Sequence, residues 1–488
     1  MHKTNQERAP LFTALQQFAK QKPVSFHVPG HKNGRQFEGL GKDVFQEILK
    51  IDATELSGLD DLHSPGGIID EAQRLAAQWF GANHTSFLVG GSTAGNLAAV
   101  LSVCTPGDEV IVQRNCHKSV LNGLELSGAA PVFVAPVYEE ETGRYNAPAI
   151  ETITKAIFSY PEAKAIVLTY PDYFGRTYDI KTIIELAHHK GIPVIVDEAH
   201  GVHFSLGKPF PASSLTLGAD IVVQSAHKMA PAMTMASFLH VNSSFVNQAV
   251  ISHYLQVIQS SSPSYPLMAS LDLARRFIAG MTDRDILLVE ESAMQFREML
   301  DESPYWKVLP NKEGIDDPLK ITIHIAAGYT GHQVASLFEK HNIYPELSSH
   351  NQVLFVHGLM PFKQWNQLQR AIEKVKQELK FASGRDIIEI NPNLFTESIQ
   401  TLILPYREMR KRDKSFVKWE DAAGCIAADS IIPYPPGIPV LMAGEKITAD
   451  HIKMINYLWK QGTNFQNSQV NTGIEVFDHG SIPKGESM

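Results

Sequence analysis

Short apolar runs alternate with longer amphipathic stretches through the first half of the chain. Residues 86–89, 109–113, 131–134, 165–169, 192–196 and 220–224 are compact apolar runs bounded by polar residues, the pattern of strands buried on both faces. Between them, residues 69–80, 97–103, 118–126 and 180–189 carry apolar side chains at helical spacing, and residues 10–20 repeat it with Leu11, Leu15 and Phe18. Such strand-helix repetition predicts an α/β fold, a mainly parallel sheet with helices on both faces. Past residue 228 the pattern loosens, and two helical stretches, 271–281 and 287–299, lead away from this region. The strand 320–325, the helix 331–341, the strand 353–357 and a long helix near 362–381 then predict a smaller α+β domain. Residues 397–412 read as a basic helix and 432–440 as a rigid, proline-rich extended segment; beyond Gly462 the polar composition predicts a mobile tail. The expected units are 1–50, a helix and loop; 51–285, the large α/β domain; 286–385, the small domain; and 386–488, a C-terminal domain with its tail.

Composition narrows the class. The chain has 488 residues, 44% hydrophobic and 19% charged, which describes a packed globular protein of several domains. A net charge of −9 disfavours a nucleic-acid binder and mildly favours cationic small molecules. Its three cysteines, Cys104, Cys116 and Cys425, are widely spaced, so neither a disulfide framework nor a metal-ligand pattern is expected, and a reducing cytoplasm fits. The first eight residues lack an apolar signal core, and no stretch approaches the roughly 18 apolar residues of a membrane span.

In an open α/β sheet, chemistry gathers beyond the carboxyl ends of the strands. There the apolar run 192–196 leads into Asp197-Glu198-Ala199-His200-Gly201, and the run 220–224 leads into Ser225-Ala226-His227-Lys228. An acid and an amine projected from adjacent strand ends suit pyridoxal phosphate: the lysine carries the cofactor as a Schiff base, and the carboxylate keeps the pyridine nitrogen protonated. Two such residues alone are also compatible with an ordinary buried ion pair. The turn Gly90-Gly91-Ser92-Thr93-Ala94-Gly95-Asn96 adds a cradle for phosphate, since glycines admit an anion to the helix amides and Ser92 and Thr93 add hydroxyl donors. His117 also follows a strand and can lie flat against a planar cofactor; a histidine there can equally cap or pack. Two irregular loops complete the set, 25–34, dense in glycine, proline and histidine, and 54–67, which carries Asp60 and Asp61.

Taken together, these stretches resemble the Orn/Lys/Arg decarboxylase family, within the aspartate-aminotransferase-like fold of pyridoxal-phosphate enzymes (fold type I). The resemblance runs in order through Phe26-His27-Val28-Pro29-Gly30-His31-Lys32, Asp60-Asp61-Leu62-His63, Gly91-Ser92-Thr93, Arg114-Asn115-Cys116-His117-Lys118-Ser119, Asp197-Glu198-Ala199-His200-Gly201, Ser225-Ala226-His227-Lys228 and Pro433-Tyr434-Pro435-Pro436-Gly437. It implies Lys228 as the Schiff-base lysine, Asp197 at the pyridine nitrogen, His117 stacked on the ring, and Ser92, Thr93, Ser225 and His227 around the phosphate. His117, His227 or Lys228 would handle the proton at the α-carbon. Where relatives read Asn-Pro-Thr-Tyr this chain has Tyr170-Pro171-Asp172-Tyr173, and His200 can supply the cofactor contact expected of that asparagine. The implied activity is decarboxylation of a basic amino acid, arginine to agmatine first, with lysine and ornithine as alternatives; Asp60, Asp61 and Glu445 are candidates for the cationic end of the substrate. The implied assembly is at least a homodimer with sites at its interface, in a short form without an extra amino-terminal domain. Asp197-Glu198-Ala199-His200 also matches a helicase box, but no Gly-x-x-x-x-Gly-Lys-Ser/Thr phosphate loop accompanies it. An aminotransferase or α-oxoamine synthase shares the fold and the lysine, and a cofactor-free regulatory relative remains a further class.

Overall fold

The computed structural model describes residues 5–380, 395, 397–434, 437–460, 463–465, 467 and 469–478. Its centre is an eight-stranded sheet in the order His84–Leu88, Ser237–Val241, Ile221–Gln224, Val194–Asp197, Ala165–Thr169, Glu109–Gln113, Ala130–Val134, Ile399–Thr401. The five strands from Ile221–Gln224 to Ala130–Val134 pair in parallel. Ser237–Val241 pairs antiparallel with both of its neighbours, and Ile399–Thr401 runs antiparallel on the far edge. Alternate residues of each central strand enter different cores. Ile111, Ile166, Leu168, Val194, Val196 and Val222 pack on one face, and Val110, Val112, Val167, Ile195, Ile221 and Val223 on the other. This two-sided burial explains why these strands read as unbroken apolar runs.

The helices Ile68–Phe80, Lys118–Ser127 and Ile180–His188 follow the predicted stretches to within a residue at each end, whereas Gly91–Val103 begins six residues before the predicted 97–103, inside the glycine turn. Several elements were not assigned from the sequence, among them the helix Ile150–Ser159 and the reversed, fully buried strand Ser237–Val241, which interrupts the strand-helix alternation.

A second, four-stranded sheet, in the order Trp306–Val308, Lys320–Ile325, Gln352–Val356, Leu347–Ser348, is entirely antiparallel. It packs with Gly331–Lys340 and Trp365–Lys380 around its own core of Ile321, Ile323, Phe338, Val353 and Phe355. Two expectations about the C-terminal part are corrected. Residues 397–412 are not one basic helix: they form the edge strand Ile399–Thr401 and a single turn, Tyr406–Met409, because Pro405 interrupts the stretch and the large sheet offers an open edge at Ala130–Val134. Residues beyond 462 are not simply a tail. Gly473–Phe477 is the middle strand of a three-stranded sheet with Lys414–Lys418 and Ile426–Ala427, and buries Ile474, Val476 and Phe477. Pro435 and Pro436 of the family-like stretch, and the final residues 479–488, lie outside the described residues.

Candidate active site

Six strands of the large sheet run in one direction, and five of them deliver chemistry at a common edge. His84–Leu88 leads to Ser92, Glu109–Gln113 to His117, Ala165–Thr169 to Tyr173, Val194–Asp197 to His200, and Ile221–Gln224 to Lys228. The register places Asp197 opposite Val223, so the strand that carries the acid and the strand that leads to the lysine end side by side.

Asp197 is 3% exposed, and both of its oxygens are oriented by the chain. Asn96 Nδ2 donates to Oδ2 at 2.9 Å, and the Ala199 amide donates to Oδ1 at 3.2 Å. Asn96 also donates to Ser119 Oγ at 2.9 Å, and Ser119 Oγ lies 2.8 Å from His117 Nδ1, which accepts the Ser119 amide at 3.2 Å. The bonded Nδ1 thus leaves the proton on Nε2 of His117, an assignment made by this network. His117 is the N-cap of Lys118–Ser127, and the residue is exposed. Its capping role therefore does not exclude a contact with a cofactor.

The helix Gly91–Val103 starts with a left-handed glycine, Gly91 at φ +75°, and its N-cap Gly90 offers no side-chain cap for the first helical amides. Ser92 Oγ lies 2.9 Å from Ser225 Oγ, and Thr93 is exposed on the same turn. His227 is held from behind, its Nδ1 3.1 Å from the Ala236 carbonyl. Hydroxyls from two loops thus converge at a helix N-terminus, an arrangement suited to a phosphate dianion.

Lys228 is half-buried. Its Nζ lies 3.0 Å from His200 Nε2 and 5.9 Å from the Tyr173 ring centre, and burial lowers its pKa below 10.5 against the opposing charges of Asp197 and Glu346. Tyr173 packs edge-on to His200 at 4.6 Å and donates to Glu346 Oε1 at 2.7 Å. Across His200, Lys320 Nζ lies 3.0 Å from Nδ1. Tyr170, in contrast, turns into the core and donates to the Ala212 carbonyl at 2.9 Å. Glu198 is structural too: Ser213, the Ser214 amide and hydroxyl, and Gln224 all donate to its carboxylate, and burial raises its pKa to about 7.

The three candidate acids for substrate separate. Asp60, at φ +67°, accepts the amides of Gly66, Gly67, Ile69 and Asp70, clamping the start of Ile68–Phe80. Glu445 forms a two-pronged pair with Arg114, at 2.6 and 2.7 Å, with both side chains buried. Its carboxylate is committed to that guanidinium, because charge-assisted forked bonds of this kind hold an arginine in a dry setting. Asp61 Oδ1 accepts the His63 amide at 2.8 Å, while Oδ2 has no hydrogen-bond partner among the described residues. Glu445→Gln is therefore expected to lower folding stability by roughly 3–5 kcal/mol, since it strands a buried guanidinium. Denaturant unfolding of the cofactor-free protein checks this, and unchanged stability with a raised KM would return Glu445 to the pocket.

Lys320, Tyr173, Glu346 and Asn96 were not singled out from sequence. Asn96 and Tyr173 lie in stretches already pointing to the site, but no local signal marked them, Lys320 or Glu346 individually.

The donor set matches pyridoxal 5′-phosphate in each part: an amine beside an oriented carboxylate, a hydroxyl-lined helix N-terminus, and an imidazole facing the cleft between them. Comparison with known proteins agrees. The family model for the Orn/Lys/Arg decarboxylase major domain matches residues 9–316, and that for the C-terminal domain matches residues 393–468. The uncharacterized protein YaaO of Bacillus subtilis is 46% identical over 94% of this chain and 96% of its own. The arginine decarboxylase of the same organism is 36% identical over 92% of this chain and 94% of its own. Among solved structures, the lysine decarboxylase LdcF of Francisella novicida superposes with a TM-score of 0.80 at 21% identity, covering 97% of this chain and 82% of that one. No helix among the described residues is long and apolar enough to cross a membrane.

Proposed function

From the premise that the chain belongs to the Orn/Lys/Arg decarboxylase family and is a pyridoxal-phosphate amino-acid decarboxylase, we propose that it converts L-arginine to agmatine and carbon dioxide. The observation that carries the choice of arginine is the 36% identity, along nearly the whole chain, to a protein named arginine decarboxylase. Lysine and ornithine are the alternatives.

The cofactor, when bound, supplies an electron sink for the bond to the departing carboxylate. The chain's own residues do the rest. Lys228 would carry the cofactor. Asp197, fixed by Asn96, would hold a proton on the pyridine nitrogen; in so dry a place a carboxylate stabilises such a positive charge far more than it would in water. His117, with its proton on Nε2, would be the imidazole beside the ring. Ser92, Thr93, Ser225 and His227 would hold the phosphate together with the first amides of Gly91–Val103. His117, His227 and Lys228 are the groups placed to return a proton to the α-carbon. Of the three acids considered for the substrate's cationic end, Asp61 has an oxygen with no hydrogen-bond partner among the described residues and is the one assigned.

Steady-state assays with arginine, lysine and ornithine, each amine product identified, test the substrate. The expected result is agmatine, with kcat/KM for arginine at least about tenfold above the others. Preferred formation of cadaverine or putrescine would reassign it.

Assembly follows from a surface that one chain leaves uncovered. Val24, Phe26, Val28, Leu40 and Val44 are exposed, Phe26 by 94%, in the stretch that includes the 25–34 loop. An apolar arm of this kind requires a partner surface, and a second copy placed by two-fold symmetry supplies one. The protein is expected to sediment as a homodimer, and Phe26→Ser with Val28→Ser to weaken it measurably. An active monomer at assay concentration would rule the arrangement out.

A further inference from the structure

Beside Lys228 stands a carboxylate to which the reaction above gives no part. Glu346 immediately precedes the edge strand Leu347–Ser348 of the small sheet, and its amide donates to the Leu354 carbonyl of the neighbouring strand at 2.9 Å. The backbone is therefore fixed, while the residue is exposed. Tyr173, on a loop of the large domain, donates to Oε1 at 2.7 Å; Oε2 has no hydrogen-bond partner, and the carboxylate makes no ion pair, among the described residues. The Tyr173 ring packs against His200 at 4.6 Å and lies 5.9 Å from Lys228 Nζ. One phenol ring thus stands between the amine of Lys228 and an oriented carboxylate.

Other acids of this region are already committed. Both oxygens of Asp197 accept hydrogen bonds, and Glu198 is held by four donors. Asp172 accepts the amides of Phe174 and Arg176, and Asp317 is fully buried beside His203.

We propose that Glu346, oriented by Tyr173, receives the cationic end of the substrate's side chain and so determines the preference for a basic amino acid. The proposal rests on the reading of Lys228 as the cofactor-bearing lysine and of the substrate as a basic amino acid. The substrate's amino group must come to where the Lys228 amine now lies, so its side chain extends from a point one phenol ring away from Glu346. A guanidinium or ammonium leaving water meets there a carboxylate oxygen with unused lone pairs, and a charge-assisted hydrogen bond offsets the lost hydration. The same negative charge disfavours the substrate's own carboxylate, so the molecule is oriented with its side chain toward Glu346. The tyrosine hydroxyl holds the acid in one arrangement, which lowers the entropy lost on meeting the cation. A guanidinium carries five N–H donors, so Asp61 and Glu346 can share one substrate.

The test measures, by calorimetry on the cofactor-loaded protein, the binding of agmatine and of N-carbamoylputrescine, which has the same shape with an uncharged urea in place of the guanidinium. Glu346→Gln should weaken agmatine about tenfold and leave N-carbamoylputrescine within about twofold. The arginine KM should rise with the agmatine Kd, the loss appearing in KM rather than in kcat. Glu346→Asp should restore part of the preference for the charged ligand, and Tyr173→Phe should reduce it by a smaller factor than Glu346→Gln. If the Tyr173–Glu346 bond is only a strut between the two domains, Glu346→Gln weakens both ligands equally; that result, or unchanged agmatine binding, overturns the proposal and leaves the decarboxylase reading intact. If the unsubstituted protein releases no amine from arginine, lysine or ornithine, the substrate reading falls and this proposal falls with it.

Discussion

Lys228→Ala is expected to abolish both the covalent linkage to the cofactor and turnover. The substitution removes the nucleophile itself, so a loss of at least about 10⁴ in kcat, on the order of 5 kcal/mol in the barrier, is the minimum consistent with the assignment. The fold should survive. Lys228 is half-buried and the partner of its amine is His200, so no core packing is lost. Burial depresses its pKa in the folded chain below 10.5, so at neutral pH the folded state binds that proton less readily than the unfolded one. This penalty fades as the pH rises toward the unfolded value. Removing the amine removes the penalty, and the unfolding midpoint at neutral pH should stay level or rise. An inactive variant that also unfolds early would assign Lys228 a structural role; a variant with full activity would end the cofactor assignment. Absorbance, turnover and thermal unfolding on one preparation separate these outcomes.

For Asp197→Asn the expected result is different in kind: the linkage to Lys228 still forms, and kcat falls by about 10²–10⁴. A neutral amide cannot hold a proton on the pyridine nitrogen, while the phosphate cradle and Lys228 remain. One local cost accompanies the change. Both Asp197 oxygens accept hydrogen bonds, from Asn96 and from the Ala199 amide, so an amide nitrogen at either position faces a donor and costs about 1–3 kcal/mol of stability. KM should change little, because the substrate's own contacts are untouched. Near-normal kcat would require another group to stabilise the ring charge.

The strand ends were legible because the chain writes them locally. A buried parallel strand is a short apolar run, and the residues that follow it lie at the carboxyl edge of the sheet, so the sequence alone brings Asp197 and Lys228 to one edge. The Gly91 turn was legible for the same reason, since a left-handed residue before a helix calls for glycine. What could not be read was set by distant segments meeting. Lys320 reaches His200 only because the small sheet docks against the Tyr173 loop, and Glu445 is claimed by Arg114 from more than 300 positions away. Residues 399–401 carried a helical pattern but were captured by an open sheet edge, a tertiary contact that outweighs local propensity. The acids of loop 54–67 show the limit most clearly. Asp60 and Asp61 are adjacent in sequence, yet one clamps a helix and the other has an oxygen with no hydrogen-bond partner among the described residues, and only the path of the backbone distinguishes them.

The central claim, decarboxylation of a basic amino acid, is tested most directly by supplying the cofactor-loaded protein with L-arginine labelled at the carboxyl carbon. The predicted result is label released as carbon dioxide, one equivalent for each agmatine formed, with lysine and ornithine as labelled controls. Label retained in a 2-oxo acid, or no release from any of the three amino acids by protein that carries the linked cofactor, would contradict it.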